Sequence, residues 1–398
     1  MLYLSIALFL GIFAGTITGL TPGIHVNLVG IILLSLTTTL LISIPLPCLI
    51  VFITALAITH TFIDFIPSIF LGCPDTDTEL SILPGHELLK EGKGYEAIML
   101  TTYGSISAII ILIIFLAPSL FLKNFISSNY YLFKPLIPGL LILASLFLIS
   151  LEKNKPRAFF VFTITGLLGL CVLNLETLKE PLLPLLTGLF GSSMLILSIK
   201  NKVEIPKQEL TKPKINPFGP ILASALTAPL CSFLPGLGSG QAAIIGNSLI
   251  KSNDKKSFLL LLGTTNTLVM GFSFISLYII SKTRTGAAAT IQQIANSLDK
   301  QTLILIILTT FLAGIIAFFL ASALAEFFAQ NISKFNYTKL SIIILAILLI
   351  IVLAVSKPFG ILVLIISTLT GIYCISLGVR RTNMMGCLII PTIILCLF

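Results

Sequence analysis

Uninterrupted apolar runs long enough to cross a lipid bilayer recur along the whole chain, for example over residues 98–122, 258–280 and 303–325. A transmembrane helix needs about 20 such residues. A strand of a membrane β-barrel alternates apolar and polar residues over about ten positions, and these runs do not alternate. Because closed helices then have to satisfy the backbone hydrogen bonds in lipid, the runs predict an all-α polytopic membrane protein.

Composition agrees with this fold class. Only 10% of the 398 residues are charged, whereas a soluble domain carries about 25%. We expect a multi-pass protein of the cell membrane, in which the run from Leu2 is the first span and not a removed signal peptide. The polar breaks predict spans at residues 2–20, 28–45, 48–72, 96–122, 135–150, 158–174, 183–199, 217–233, 238–250, 258–281, 301–328, 340–356, 358–377 and 386–398.

Loop charges indicate topology and not a nucleic-acid partner. The net charge is +9, but the lysines are spread singly over short loops and no DNA- or RNA-binding motif is present. If the N-terminus lies outside and the spans alternate, most of the 24 Lys and Arg residues fall in inside loops. This asymmetry is the one that orients membrane proteins.

Both halves of the chain open alike. In each half an apolar run meets a Pro-Gly break, and a Thr-x-Thr triplet follows, at 59–61 in the first half and 265–267 in the second. On the alternating map the first half begins outside and the second inside. We therefore predict two inverted-topology repeats with broken or re-entrant helices, covering 1–150 and 205–398 and joined by 151–204, an arrangement found in many secondary transporters.

The Pro-Gly breaks are the predicted substrate site. Proline lacks an N–H, glycine permits positive φ, and the N–H groups freed at membrane depth need protein, water or ligand as partner. A helix that begins after the break favours an anion through its N–H groups and dipole; the alternative is a simple proline kink. The candidate residues are Pro22, Gly23, His25, Asn27, Pro235, Gly236, Gly238, Ser239, Gly240 and Gln241.

Ionisable residues within an apolar run form a second candidate site. His60 and Asp64 lie four residues apart and share one helical face, and charges inside a membrane are costly and usually functional. They are either a proton relay or ion-coupling site, for a proton or sodium, or a hydrogen-bonded pair that joins helices. His25 either contacts substrate or caps a broken helix. The ion-coupling candidates are His60, Asp64, Thr61, Thr265, Asn266 and Thr267.

Enzyme, cofactor and metal motifs are not evident in the sequence. It has no His-Glu-x-x-His, Gly-x-Ser-x-Gly or P-loop lysine, so we expect no catalysis and no cofactor. Asp75, Asp77 and Glu79 form a short acidic cluster, interpreted as a solvated loop face because oxygen cages need more ligands. The seven cysteines include no Cys-x-x-Cys pair, so buried free thiols are expected.

At its breaks the sequence resembles the large permease subunit of the tripartite tricarboxylate transporters. Residues 234–238, Leu-Pro-Gly-Leu-Gly, match that family's Pro-Gly-Leu-Gly breaks, and residues 66–79 look like its second signature. The first break has Ile24-His25 where the family usually has a further glycine. The resemblance implies a transport role more strongly than a citrate substrate. It also implies two partners, a small membrane subunit and an external solute-binding protein.

The leading functional prediction is a secondary transporter for a small organic anion, such as a carboxylate, that works by alternating access. Two alternatives remain open. The same break would hold the headgroup of a lipid phosphate such as a prenyl phosphate, or His25, His60 and Asp64 would serve an intramembrane enzyme.

Overall fold

The computed structural model describes residues 2–21, 26–35, 44–72, 78, 80, 82–178, 180–200, 205–233, 238–250, 254–283, 285–295, 297–334 and 337–397. Over these ranges the chain is helical and has no strand, which confirms the all-α prediction. The helices are α1 (Leu2–Leu20), α2 (Val26–Ser35), α3 (Leu46–Ile63), α4 (Phe65–Leu71), α5 (Ile82–Lys90), α6 (Gly94–Phe133), α7 (Ile137–Ser150), α8 (Lys155–Leu173), α9 (Leu182–Leu186), α10 (Ser193–Lys200), α11 (Phe218–Phe233), α12 (Ser239–Ile250), α13 (Lys255–Ile280), α14 (Gly286–Ala295), α15 (Lys300–Asn331), α16 (Tyr337–Ser376) and α17 (Gly386–Leu397). A π-helical segment, Thr187–Ser192, joins α9 to α10.

Several long helices begin at a polar cap that the sequence supplies. The Asp254 carboxylate accepts hydrogen bonds from the backbone N–H groups of Lys256 and Ser257 at the start of α13. Asp299 does the same for Thr302 in α15, and Asn154 for Arg157 in α8. These caps satisfy N–H groups that a helix leaves free at its first turn, and they place the beginning of each span.

Seven helices in the described ranges are long and apolar enough to cross a membrane by length and composition. They are Leu2–Leu20, Leu46–Leu71, Gly94–Tyr130, Lys155–Leu173, Lys255–Ile280, Lys300–Lys334 and Ser341–Ser376. Shorter apolar helices cover Pro138–Ser150, Leu182–Leu197, Phe218–Phe233 and Asn383–Leu397. The protein is therefore a multi-pass membrane protein, and the predicted spans coincide with helix over most of their described residues.

Helix α16 contains two helical segments that meet at Lys357, where φ is 59° and ψ is −172°. The first segment packs against the π-helical segment and α10 through Leu348 near Gly191. The second returns along the same region, with Leu364 next to Gly188 and Gly371 next to Ser193. The break at Lys357 therefore turns the chain back, as the separate spans 340–356 and 358–377 predict.

The helices form two groups around separate apolar cores. In the first helical group, α1 to α6 pack with α11 to α15, and the two halves of the chain exchange partners: α3 packs on α15, and α6 on α13. In the second helical group, α7 to α10 pack with α16 and α17, and α8 contacts α17. Each group therefore contains helices from both halves of the chain.

Close backbone contact at glycines sets the direction of neighbouring helices. In α1, Gly11 lies against Phe52 of α3 and Gly19 against Ile63, so α1 and α3 run parallel. Likewise Gly104 of α6 touches Leu260 of α13, and further along both helices Phe115 meets Phe272 edge to face. Small residues permit such approaches in membranes, where packing drives helix association.

Contacts between loops agree with the alternating span map. At the start of α13, Lys256 Nζ lies 2.5 Å from Glu96 Oε1 at the start of α6. Gln208, in the segment between α10 and α11, donates to the Leu89 carbonyl at 3.0 Å. In the second helical group, Asn383 donates to Glu152 Oε1 at 3.0 Å. Each contact joins two segments that the map assigns to the inside.

Candidate functional site

Two spans are enclosed by the others and carry the polar residues of interest. Within their apolar windows, 83% of Leu46–Leu71 and 94% of Lys255–Ile280 is buried. These spans contain the two Thr-x-Thr triplets, and all six triplet residues are buried. Polar side chains at membrane depth are costly unless they have a partner, and they mark functional sites.

The third residues of the two triplets touch. Thr61 Oγ1 and Thr267 Oγ1 lie 3.0 Å apart although the residues are 206 positions apart in sequence. The Thr61 hydroxyl donates to the Ile58 carbonyl at 2.8 Å, so Thr267 is the donor between the two hydroxyls. Equivalent positions meet in this way where two copies are related by a two-fold axis.

Asp64 and Asn266 form a second contact between the same spans. Asp64 lies at the joint between α3 and α4, and its Oδ2 accepts a hydrogen bond of 2.9 Å from Asn266 Nδ2. Both residues are buried. The Asp64 carbonyl accepts from Ser68 at 2.8 Å, which fixes the joint. The contact brings together one ion-coupling candidate from each half.

Each triplet also fastens its span to the first helix of its own half. His60 Nδ1 lies 3.0 Å from Thr18 Oγ1 of α1. In the second half, the Thr265 hydroxyl donates to Ser224 Oγ of α11 at 3.1 Å. We use the name polar layer for the buried polar residues in these contacts: Thr61, Thr267, Asp64, Asn266, His60, Thr18, Thr265 and Ser224.

Thr18 and Ser224 are members of the polar layer that the sequence analysis missed. They are separated by the same 206 residues as Thr61 and Thr267. A search for polar residues at that constant separation within apolar runs identifies the pair. The two Pro-Gly breaks are farther apart in sequence than 206 residues. Aligning the two halves at the breaks therefore does not pair Thr18 with Ser224.

The second break continues into a capped helix. Gly238 precedes α12, and its N–H donates to Gln241 Oε1 at 2.8 Å. A glutamine three residues into a helix that reaches back to the cap is half of a capping box. Gln241 is fully buried, and its Nε2 has no hydrogen-bond partner among the residues that the structure describes. The Gln241 side chain lies next to buried Ser239 and Gly240.

The centres of both breaks lie outside the described residues. This applies to Pro22, Gly23, His25, Pro235 and Gly236. Asn27 lies in α2, but its side chain is likewise outside the description. The structure therefore brings together the six ion-coupling candidates and describes the edge of the second break.

The described part of the chain also locates most of the acidic residues and the thiols. It contains no group of three or more His, Cys, Asp or Glu residues that could hold a metal ion. The acidic cluster of Asp75, Asp77 and Glu79 lies outside that part. Of the six cysteines that the structure describes, four are buried and two, Cys171 and Cys396, are exposed.

The fold and polar layer define a multi-pass helical membrane protein whose polar interior is built from both halves of the chain. The chain belongs to the tripartite tricarboxylate transporter TctA family, whose model matches residues 6–386. It is therefore a membrane transporter, as the resemblance at the breaks predicts. It is also 34% identical to the uncharacterized protein MJ1079 of Methanocaldococcus jannaschii over 318 residues, which is 78% of this chain and 77% of that protein. No solved structure matches the chain.

Proposed function

We propose that the protein is a secondary transporter that carries a small organic anion, a carboxylate, by alternating access. The observation that carries this proposal is the polar layer, which joins the two most enclosed spans at Thr61 and Thr267. A buried polar contact between the halves supports a transport site, because the sites of such folds lie near the bilayer midplane where the repeats meet.

Anion selectivity is assigned to the second break. The N-terminus of α12 supplies the positive end of a helix dipole, which favours an anion. The unpartnered Nε2 of buried Gln241 adds neutral N–H donors there, and buried polar groups ordinarily have partners. We expect the matching residues of the first break, Gly23 to Asn27, to complete the site.

Ion coupling is assigned to Asp64, with Asn266 as its donor and His60 nearby in sequence. Carboxylate, amide and hydroxyl oxygens are the ligands that hard cations prefer, and a buried carboxylate also accepts a proton. Proton and sodium remain alternatives. Thr61, Thr265 and Thr267 lie in the same layer and would supply further oxygens.

The exchange of helices between the halves supports the prediction of inverted repeats. We propose the repeats 1–150 and 205–398, and the second helical group supports extending the first repeat through 200. There α8 packs on α17, and in the same way the π-helical segment and α10 pack on α16. Gly169 of α8 contacts a backbone carbonyl of α17, and Gly371 of α16 contacts a backbone carbonyl of the π-helical segment. Each half would then contain seven of the predicted spans. Because seven is an odd number, the two halves would begin on opposite sides of the membrane and have opposite orientations.

Partners follow from the family. Tripartite systems contain a small membrane subunit and an external solute-binding protein, and we propose that this chain works with both. The proposal predicts that substrate uptake at low concentration depends on the binding protein, whereas exchange of substrate at high concentration needs only the membrane subunits. Catalysis is not expected.

Ligand-dependent thermal stability tests the proposed substrate class. A ligand that binds only the folded protein raises its melting temperature. We expect carboxylates to stabilise the purified protein, Gln241→Ala to lose that response, and the exposed Gln293→Ala to retain it. Stabilisation by prenyl phosphates alone would favour the lipid-phosphate carrier, and turnover of an added substrate would favour the intramembrane enzyme.

A further inference from the structure

Arg381 is a half-buried arginine at the seam between the two helical groups. It begins the short helix Arg381–Met385 that joins α16 to α17. Its Nη2 donates to Met194 Sδ of α10. Close by, Leu71 at the end of α4 packs on Leu195 of α10. The side chain therefore lies where the first helical group meets the second.

No negative charge compensates Arg381 within the described part of the chain. Its Nη1 is buried and has no hydrogen-bond partner, and the ion pairs there do not include it. Glu152 accepts instead from Asn383 and lies 3.8 Å from Arg380 Nε. Burial lowers the pKa of Arg381 to about 10, so the guanidinium remains charged at neutral pH.

A neighbouring histidine adds no charge that could compensate Arg381. Burial, together with the charges of Lys90 and Arg381, lowers the pKa of His86 to about 4. His86 is therefore neutral at pH 7. Removing a guanidinium from water without a counter-ion is unfavourable, and the described part of the chain supplies no counter-ion to Arg381.

We propose that Arg381 anchors a binding site for a phosphate group at the seam between the two helical groups. A planar guanidinium binds phosphate through two parallel N–H donors, and Arg381 has donors to spare. The site lies between Ser376, the end of α16, and Gly386, the start of α17. Phospholipid phosphates lie at this level of a membrane, and basic residues at span ends attract anionic lipids.

Thermal stability of the purified, delipidated protein in detergent tests the site. The probes are phosphatidylglycerol, inorganic phosphate and, as a carboxylate, citrate. We expect phosphatidylglycerol or inorganic phosphate to raise the melting temperature by several degrees at saturation. Arg381→Gln should lose this shift, whereas Arg380→Gln, which changes the exposed neighbouring arginine, should keep it. A shift with phosphatidylglycerol alone identifies a lipid, and a shift with inorganic phosphate identifies a soluble ligand.

Three results would overturn the proposal: no shift of the wild-type protein with either phosphate probe, an equal shift in Arg381→Gln, or a shift with citrate alone. Should Arg381→Gln fail to fold, Arg381→Lys decides, because lysine keeps the charge but lacks the planar fork. We then expect a half-saturating concentration about ten-fold higher or more than that of the wild type, since ten-fold corresponds to the loss of one good contact. An unchanged half-saturating concentration contradicts the proposal.

Discussion

At the scale of single residues, Asp64 combines burial with a neutral donor. Its carboxylate accepts from the Asn266 amide and lies at a joint between two helices. A coupling residue and a static link between helices both fit this geometry. The two roles predict different effects of replacing Asp64 with asparagine. Asparagine preserves the shape of the side chain but can neither bind a proton nor carry a charge.

Asp64→Asn separates coupling from structure. We expect the variant to fold and to exchange substrate across proteoliposome membranes but to lose accumulation driven by an ion gradient. The control is Glu326→Gln, which neutralises an exposed carboxylate in α15 and should still accumulate substrate. Gradient-driven accumulation by Asp64→Asn at the wild-type level would show that the coupling role is wrong.

Gly236→Val tests the second break. A side chain there would occupy space where, on the proposed function, backbone N–H groups approach the substrate. We expect uptake to fall at least ten-fold while expression and membrane insertion stay normal. Uptake that remains at the wild-type rate would indicate that the Pro-Gly break is only a kink.

At the scale of elements, glycines decide how closely the central spans approach. A Cβ on Gly263 of α13 would lie 2.1 Å from the Thr101 carbonyl oxygen of α6, whereas a Cβ on Gly139 of α7 would meet no atom within 4 Å. The α6–α13 crossing is therefore one where only glycine fits, and it joins the two halves of the chain.

Gly263→Ala and Gly139→Ala form a matched pair. We expect Gly263→Ala to reduce the free energy of unfolding by about 1–3 kcal/mol through overpacking and to lower the melting temperature by several degrees. Gly139→Ala should be neutral or stabilising by up to about 1 kcal/mol, because alanine has the higher helix propensity. Equal effects in a thermal melt would contradict the close crossing.

The sequence predicts these elements better than their partners. Continuous apolar runs give the spans because hydropathy and length decide membrane insertion. The repeated Thr-x-Thr triplets contain Thr61 and Thr267, whose hydroxyl groups meet. The exchange of helices between halves could not be predicted, since it depends on which surfaces complement each other in three dimensions. Arg381 gave no signal because burial of a loop arginine is a property of the assembled fold.

At the scale of the whole molecule, both helical groups contain helices from each half, so the halves cannot be separate bodies. The inside loops of the two groups include Glu152 beside Arg380 and Glu96 beside Lys256. On the alternating map, Lys153 lies inside and Lys282 outside, and both are exposed.

Cysteine labelling tests this orientation. In a protein without its native cysteines, Lys282→Cys should react with an impermeant maleimide in intact cells. Lys153→Cys should react only after the membrane is opened. Labelling of both positions in intact cells would contradict the alternating map and, with it, the inverted relation of the repeats.

The most direct test of carboxylate transport is counterflow in proteoliposomes that contain the chain with its proposed membrane subunit. Vesicles are loaded with an unlabelled carboxylate that stabilises the protein, and uptake of the same labelled carboxylate is followed. The proposed function predicts a transient, saturable accumulation of label above the outside concentration, lost in Gln241→Ala and kept in Gln293→Ala. Label that never exceeds equilibrium, or that moves equally in Gln241→Ala, would contradict it.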